Sequence, residues 1–501
     1  MTKNKTLLMI IDLGTSFIKS AVYDIEGVCI HMVLEPVKDD RSGQGVFIQK
    51  GEDFVLSVVT CMKELCQYLG KRADDIEAIS FTGQMAGFIG VDAQWNDITT
   101  WSCSLDTRYI PYADRQMKEL RKEFLEISGT NAPQMASKYE WFKTEFPEEN
   151  KKIVKYLMIS GYIIGQLSDM PVDDAVIDAT YTTWTGLADI KNGVWSKEIC
   201  GAVGIDIGYL PKIVRSNKIC AKLSEKISKA TGLKSGIPLV SGAGDKSASC
   251  IGSGILNPGD VNLEASSYGA IQICVEDYRA DSEEMKYDCL PSPIEGLYHV
   301  TRYIPGSGIT LDWFVNTFVK ESGQTSEEAF KYIEEKMLNV PAGCEGLMAV
   351  GLLGGNAMPL NGKIKGMWNG YSWNHNKEHF YRALIESFTY DFELAFQRIE
   401  AIYPELELKN IAFLGGGSKS KTWAQINADV TGKTYYTINR KDTALLGTAI
   451  LAGNAIGIVE DIQEYVQRVV RKESEFHPDE NMRDVYKAYV DNYREFLTAS
   501  E

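Results

Sequence analysis

The sequence predicts an α/β protein made of two halves of similar plan. Three observations carry this. Apolar strand-like runs ending in small-residue turns alternate with long helical repeats in both halves. The stretch GSGILNPGD, residues 252–260, combines Gly, Pro and Asp near the midpoint of the chain, between a small-residue helix and a new strand. The length of 501 residues and a hydrophobic content of 44% are ample for two or more packed domains. The expected domains are residues 1–254 and 255–501.

The first half opens with LLMIIDLGTSFIKSAVYDIEG, residues 7–27. TLLMII reads as a strand that Asp12 terminates. Gly14, Thr15 and Ser16 form a tight turn, and FIKSAVYD returns as a second strand. Such a tip can hold a phosphate on backbone amides while Asp12 holds Mg²⁺ or its waters. It is equally a capped hairpin whose Asp accepts local amides.

Three further stretches follow in this half. In ISFTGQMAGFIGVD a strand ends at Thr82-Gly83, delivering Gln84 and Met85. In TTWSCSLDTRYI, Asp106 and Arg108 follow Trp101. A surface ion pair is the plain reading of that last pair. GIPLVSGAGDKSASCIGSG then reads as a strand, a loop of small residues and a helix start. Asp245 stands where an N-cap stands, and Asp is among the best capping residues. Gly242 and Gly244 ahead of it open the approach that a catalytic base or metal ligand needs.

The second half repeats the pattern in DVNLEASSYGAIQICV, a strand, a hydroxyl-bearing turn and a strand. EHFYRALIESFTYDFELAFQRIEAI is a helix with Phe380, Leu384, Phe388, Phe392, Ala395 and Ile399 on one face. IAFLGGGSKSKTWAQINADVTGK runs a buried strand into Gly415, Gly416 and Gly417 and then a helix, whose N-terminus favours negative charge. It has neither P-loop nor dinucleotide-fold spacing. Met482, Tyr486, Tyr489, Tyr493 and Phe496 stripe a C-terminal helix.

Composition narrows the class. Lys plus Arg is 52 and Asp plus Glu is 68, a net charge of −16 that repels polyanions, so no nucleic-acid partner is expected. The opening apolar run is far shorter than a membrane span and follows no leader pattern. Ten cysteines lack metal or disulfide spacing and read as reduced small hydrophobes, which sets the expectation of a cytoplasmic protein without a metal cluster. None of the five histidines falls in ISFTGQMAGFIGVD or TTWSCSLDTRYI, and they read as structural or surface residues.

The five stretches that carry Asp12, Gln84, Trp101 with Asp106 and Arg108, Asp245, and Gly415–Gly417 together resemble the FGGY family of carbohydrate kinases, within the actin-like, sugar-kinase and heat-shock ATPase superfamily. GMWNGYSWNHNKEHFYRALIE resembles that family's second signature, with Tyr371 at a usually aliphatic position. SKYEWF resembles part of the first, keeping Lys138 and Trp141. The resemblance runs from about residue 7 to the final helix. It implies two actin-like (ribonuclease-H-like) domains with the active-site cleft between them, and ATP-dependent phosphorylation of a small sugar, with Mg²⁺ as cofactor.

The resemblance also implies roles. Gly14, Thr15 and Ser16 are the first phosphate loop, with Asp12 at the metal. Asp245 is the general base and a second metal contact. Ser266 belongs to the second phosphate hairpin, where Ala265 replaces the usual glycine. Gly415, Gly416, Gly417 and Asn427 line the nucleotide. Gln84, Met85, Trp101, Asp106 and Arg108 lie near the sugar. A homodimer is compatible with this plan.

On the substrate the motifs divide. Xylulokinases in this family carry Gly-Gln-Met-His, and here Ala86 follows Met85. They place Asn after the base, and here Lys246 follows. The longer Trp101-to-Asp106 spacing resembles the family's autoinducer kinases instead, which lack the Gly-Gln-Met stretch. A ketopentose such as xylulose is the expected acceptor, with an autoinducer, another polyol or a sugar acid as the alternative. A non-catalytic nucleotide-binding scaffold of actin-like fold is the competing class, and it would be expected to have lost Asp245. A partner-coupled ATPase would carry an appended peptide-binding domain, for which no residues remain.

Overall fold

The computed structural model describes residues 6–357, 360–361, 363–408 and 410–500. The first sheet is built from β1 (Leu7–Leu13), β2 (Phe17–Asp24) and β3 (Cys29–Pro36). After helix α1 (Gly51–Leu69) come β4 (Ile76–Gly83) and the short β5 (Trp101–Cys103). Helix α2 (Gln134–Glu145) precedes β6 (Ile219–Lys222) and β7 (Pro238–Val240). The first sheet runs β6-β7-β4-β1-β2-β3, and helix α3 (Asp245–Ser253) closes the half.

The second half begins with β8 (Asp260–Ala265), β9 (Gly269–Val275), β10 (Asp288–Pro291) and β11 (Tyr298–Ile304). Helix α4 (Lys377–Ile402), β12 (Asn410–Leu414), helix α5 (Lys421–Thr431) and β13 (Tyr435–Ile438) follow. Helix α6 (Thr443–Ala455), β14 (Lys472–Phe476) and helix α7 (Glu480–Ser500) complete the chain. This sheet runs β10-β11-β9-β8-β12-β13-β14.

The two sheets share one plan. In each, the strand that enters the small-residue turn (β1, β8) pairs antiparallel with its hairpin partner (β2, β9) and parallel with a later strand (β4, β12). A further parallel strand (β7, β13) and an antiparallel edge strand (β6, β14) follow on that side. Strands β1 and β8 are therefore central and almost wholly buried, which explains their unbroken apolar runs.

Each half has its own apolar core, and a third cluster joins them. Leu445, Leu446, Ala449 and Ile450 of α6 pack on Leu8, Ile10 and Ala78 of the first sheet and on Ile251 of α3. Gly252 and Gly447 make that close helix pairing possible. A Cβ on Gly447 would lie 1.9 Å from the Ala248 carbonyl oxygen, and one on Gly252 1.9 Å from that of Thr443. The Gly-Pro-Asp turn before β8 is fixed by Asp260 Oδ2, which accepts from the Asn257 amide at 2.9 Å. The ten cysteines are all free thiols, and among the described residues no helix is long and apolar enough to cross a membrane.

Candidate active site

The turn after β1 and the N-terminus of α3 converge on one cleft, and Lys246 of α3 reaches the end of β8 at Glu264. A cavity of about 390 Å³ there is lined by Gly14, Thr15, Gln84, Met85, Ala86, Ser104, Ala132, Gln134, Trp184, Asp245, Lys246, Asp288 and Tyr303. A roomier cavity of about 610 Å³ lies beside β6, but its lining contains none of the candidate site residues. Chemistry rather than size marks the candidate.

Asp12 is the penultimate residue of β1 and buried. Burial pushes its carboxyl pKa up, and Lys19 across the hairpin, with Nζ 3.4 Å from Oδ2, opposes that. The turn itself requires glycine at position 14, because a Cβ would lie 2.6 Å from the Phe17 carbonyl oxygen. Ser16 is exposed and Thr15 half-buried, so the hydroxyls at the tip are accessible.

Asp245 is the first residue of α3, and the cap position belongs to Gly244, which corrects the N-cap expected from sequence. The carboxylate is thereby freed from capping, and its described hydrogen bond is from the Lys246 amide at 2.7 Å. Burial raises the Asp245 pKa to about 6; Lys246 works against this, and the Asp12 carboxylate adds to it. Two acids, one at the end of β1 and one at the start of α3, thus share one electrostatic environment.

The loop before Asp245 is fixed from behind. Gly242 has a φ of +69°, and a Cβ there would sit 1.8 Å from the Phe81 carbonyl oxygen. The Gly244 amide donates to Thr180 Oγ1 at 2.9 Å, and Thr180 is held by the buried Asp178 carboxylate. Met85 lies where a Gly244 Cβ would point, so the Gln84-Met85 stretch and the base loop touch.

The second hairpin and the glycine turn also meet. Gly415 has a φ of +81°, and a Cβ there would lie 2.6 Å from Ser266 Oγ and 2.8 Å from the Ala265 carbonyl. Gly417 crosses equally close to the Ala265 side chain. Ser266 Oγ donates to Glu264 Oε1 at 2.7 Å, and its carbonyl accepts from the Gly308 amide at 2.8 Å.

Trp101, Asp106, Arg108 and Asn427 do not line the cavity. Trp101 is fully buried and its indole Nε1 donates to Gln84 Oε1 at 3.3 Å, while Gln84 Nε2 donates to the Gly14 carbonyl at 3.3 Å. Arg108 forks onto Asp106 through Nε and Nη2 at 2.8 and 2.7 Å. Against the upward push of burial, Arg108 and Ser102 hold the Asp106 carboxyl below its usual pKa. Asn427 is fully buried, accepting from Thr389 Oγ1 at 2.7 Å, and the structure does not bring it to the cleft.

The signature residues prove to be framework. Buried Lys138 donates from Nζ to Ser102 Oγ, the Cys103 carbonyl and the Asp106 carbonyl at 2.9–3.0 Å, and burial pulls its pKa down to about 7. Glu386 accepts from Arg382 at 2.8 Å, Tyr486 at 3.0 Å and Tyr390 at 3.1 Å, locking α4 to α7.

Sequence reasoning missed Trp184 and Asp288. Asp288, on β10 of the second half, accepts from Trp184 Nε1 at 2.6 Å and from the Asn131 amide at 2.7 Å, both in the first half. Nothing local in KYDCL or TTWTG signals that pairing, which only the tertiary fold creates.

Comparison with known proteins matches the model of the N-terminal domain of the FGGY family of carbohydrate kinases to residues 7–252 and that of its C-terminal domain to residues 280–456. A xylulose kinase from Bacillus subtilis is 26% identical over 499 residues, covering 97% of this chain and 96% of that protein. An autoinducer-2 kinase from Klebsiella pneumoniae is 23% identical over 528 residues, covering 97% and 93%. Among solved structures, a gluconate kinase and a xylulose kinase, both from Lactobacillus acidophilus, superpose with TM-scores of 0.90 at 23% and 22% identity. In both cases 99% of this chain and 98% of the other are covered.

Proposed function

Since the chain belongs to the FGGY family of carbohydrate kinases and is an ATP-dependent sugar phosphotransferase of the actin-like fold, we propose that it phosphorylates the terminal hydroxyl of a ketopentose such as xylulose. One observation carries this reading: Asp245 faces the cavity that Gln84 and Met85 share with the Gly14–Thr15 turn.

In the proposed mechanism Asp245 accepts the proton of the attacking sugar hydroxyl. The turn amides and hydroxyls at Gly14, Thr15, Ser16 and Ser266, with the Gly415–Gly417 backbone, hold the phosphates of ATP. Gln84 and Met85 contact the sugar. Trp101, Asp106 and Arg108 act one layer back, keeping Gln84 and its loop in register. Asn427 supports α5 beneath the glycine turn.

The carboxylates fit Mg²⁺. No group of three or more metal-ligating side chains occurs among the described residues. Mg²⁺ in kinases is commonly held by one or two carboxylates together with substrate phosphates and water. Asp12 and Asp245 supply that pair, and the ion would neutralise phosphate charge there. The ten free thiols support a cytoplasmic location.

The raised Asp245 pKa sets a pH dependence. The base works only when deprotonated, so kcat/KM should climb with pH through an apparent pKa of about 6 and level off above it. An ordinary aspartate would place that limb about two units lower. A profile flat from pH 5 to 8 would remove Asp245 from the role.

Substrate choice is tested by an ADP-release panel of D-xylulose, D-ribulose, L-xylulose, L-ribulose, glycerol, erythritol, gluconate and the autoinducer precursor. Turnover of D-xylulose above the rest by orders of magnitude in kcat/KM is the expected result. The five-residue step from Trp101 to Asp106 favours the second reading, an autoinducer-type acceptor, and preference for that compound would replace the first.

A further inference from the structure

Lys246, next in sequence to Asp245, lines the same cavity, and the mechanism above leaves it unused. Its Nζ donates to Glu264 Oε2 at 2.7 Å, and Glu264 Oε1 accepts from Ser266 Oγ at 2.7 Å. Glu264 is the penultimate residue of β8, the position that Asp12 holds in β1. The ammonium therefore stands between the two hairpins, with Gly14 and Thr15 beside it in the cavity and Glu264–Ser266 as its anchor.

An ammonium carries three N–H donors. Among the described contacts one is spent on Glu264, and a quarter of the side chain stays open to the cavity. A carboxylate partner makes it tolerable to keep a lysine charged in so enclosed a place. The arrangement holds a fixed positive charge beside the base, with donors to spare, between the Gly14–Thr15 turn that shares its cavity and the end of β8 that anchors it.

We propose that Lys246 is a further catalytic residue, donating from Nζ to the phosphoryl group in transit between the hairpins. The inference rests on the assignment of Asp245 as base. In the step, the sugar oxygen bonds to the γ-phosphorus as the bond from that phosphorus to the β–γ bridging oxygen breaks. ADP keeps the electron pair, and the sugar proton passes to Asp245. Lys246 keeps all its protons and stabilises the charge spread over the phosphoryl oxygens.

The competing role is a staple, in which Lys246–Glu264 merely ties α3 to β8. Calorimetric binding of ADP–Mg²⁺ alone, and with aluminium fluoride as a mimic of the phosphoryl in flight, separates the two. Lys246→Met should weaken the aluminium fluoride complex roughly 10- to 100-fold and lower kcat by a similar factor, leaving the Kd for ADP within about twofold. Lys246→Arg should recover most of both. Lys246→Gln keeps a donor for Glu264 without the charge, and should show the same loss if Lys246→Met does not fold. Glu264→Gln retains the ammonium and should keep the preference for the fluoride complex.

Equal loss of both complexes, matched by Glu264→Gln, would establish the staple and overturn the proposal. Full activity of Lys246→Met beside an inactive Asp245→Asn would sink this inference alone. Full activity of Asp245→Asn would remove the assignment on which it stands.

Discussion

Asp245→Asn is expected to lower kcat by roughly 10²–10⁴-fold, the range for a lost general base, with ATP affinity nearly unchanged. The substitution is close to isosteric, so the packing of α3 survives. What disappears is the proton acceptor at the mouth of the helix. Asp12, whose charge raises the Asp245 pKa, remains to hold Mg²⁺ with the phosphates, so nucleotide binding should persist. Single-turnover kinetics with D-xylulose, paired with calorimetry for ADP–Mg²⁺, reads both quantities. A variant turning over at the parental rate would place the base elsewhere, and Asp12 would be the next residue to substitute.

Much of this site was legible because its parts are contiguous in the chain. Asp12 with its turn, Asp245 with its glycines and the Gly415–Gly417 run each announce a strand that ends where a ligand can approach. The halves could also be paired by pattern, from the hairpins at β1–β2 and β8–β9. The full correspondence of strand order was not legible, because β4, β7, β12 and β13 join their sheets across long stretches of sequence.

Residues whose roles are tertiary escaped in the same way. Trp101 and Asp106 look like ligands in a motif, yet both are buried, Trp101 against Gln84, and Arg108 is tied up on Asp106. Asp288 looks like any strand residue, yet it holds Trp184 at the cavity wall from the other half of the molecule. The N-cap assignment of Asp245 failed by one residue, because Gly244 takes the extended cap conformation and pushes the acid into the first turn. That single-residue shift is what leaves the carboxylate available for chemistry.

The second large effect belongs to a position outside the cavity lining. Gly447→Ala is expected to cost about 1–3 kcal/mol of stability, the range for overpacking a tight contact, and to reduce kcat roughly 10- to 100-fold, as an ångström-scale misplacement of reacting groups does. A methyl group there would lie 1.9 Å from the Ala248 carbonyl oxygen, on backbone that has no rotamer to yield. The helices must therefore separate by about an ångström, since packed interiors transmit strain rather than absorb it. Helix α3 carries Asp245 at its start, and α6 is anchored on β1 and β4 through Leu445, Leu446 and Ala449. The displacement thus falls on the base. Urea denaturation of Gly447→Ala, with kcat and the Kd for ADP on the same preparation, tests it. Reduced stability with unaltered kcat would show that the base finds its place independently of the helix pair. Loss of both, with ADP affinity kept, would show that the packing of two glycines between the halves sets the geometry of proton transfer.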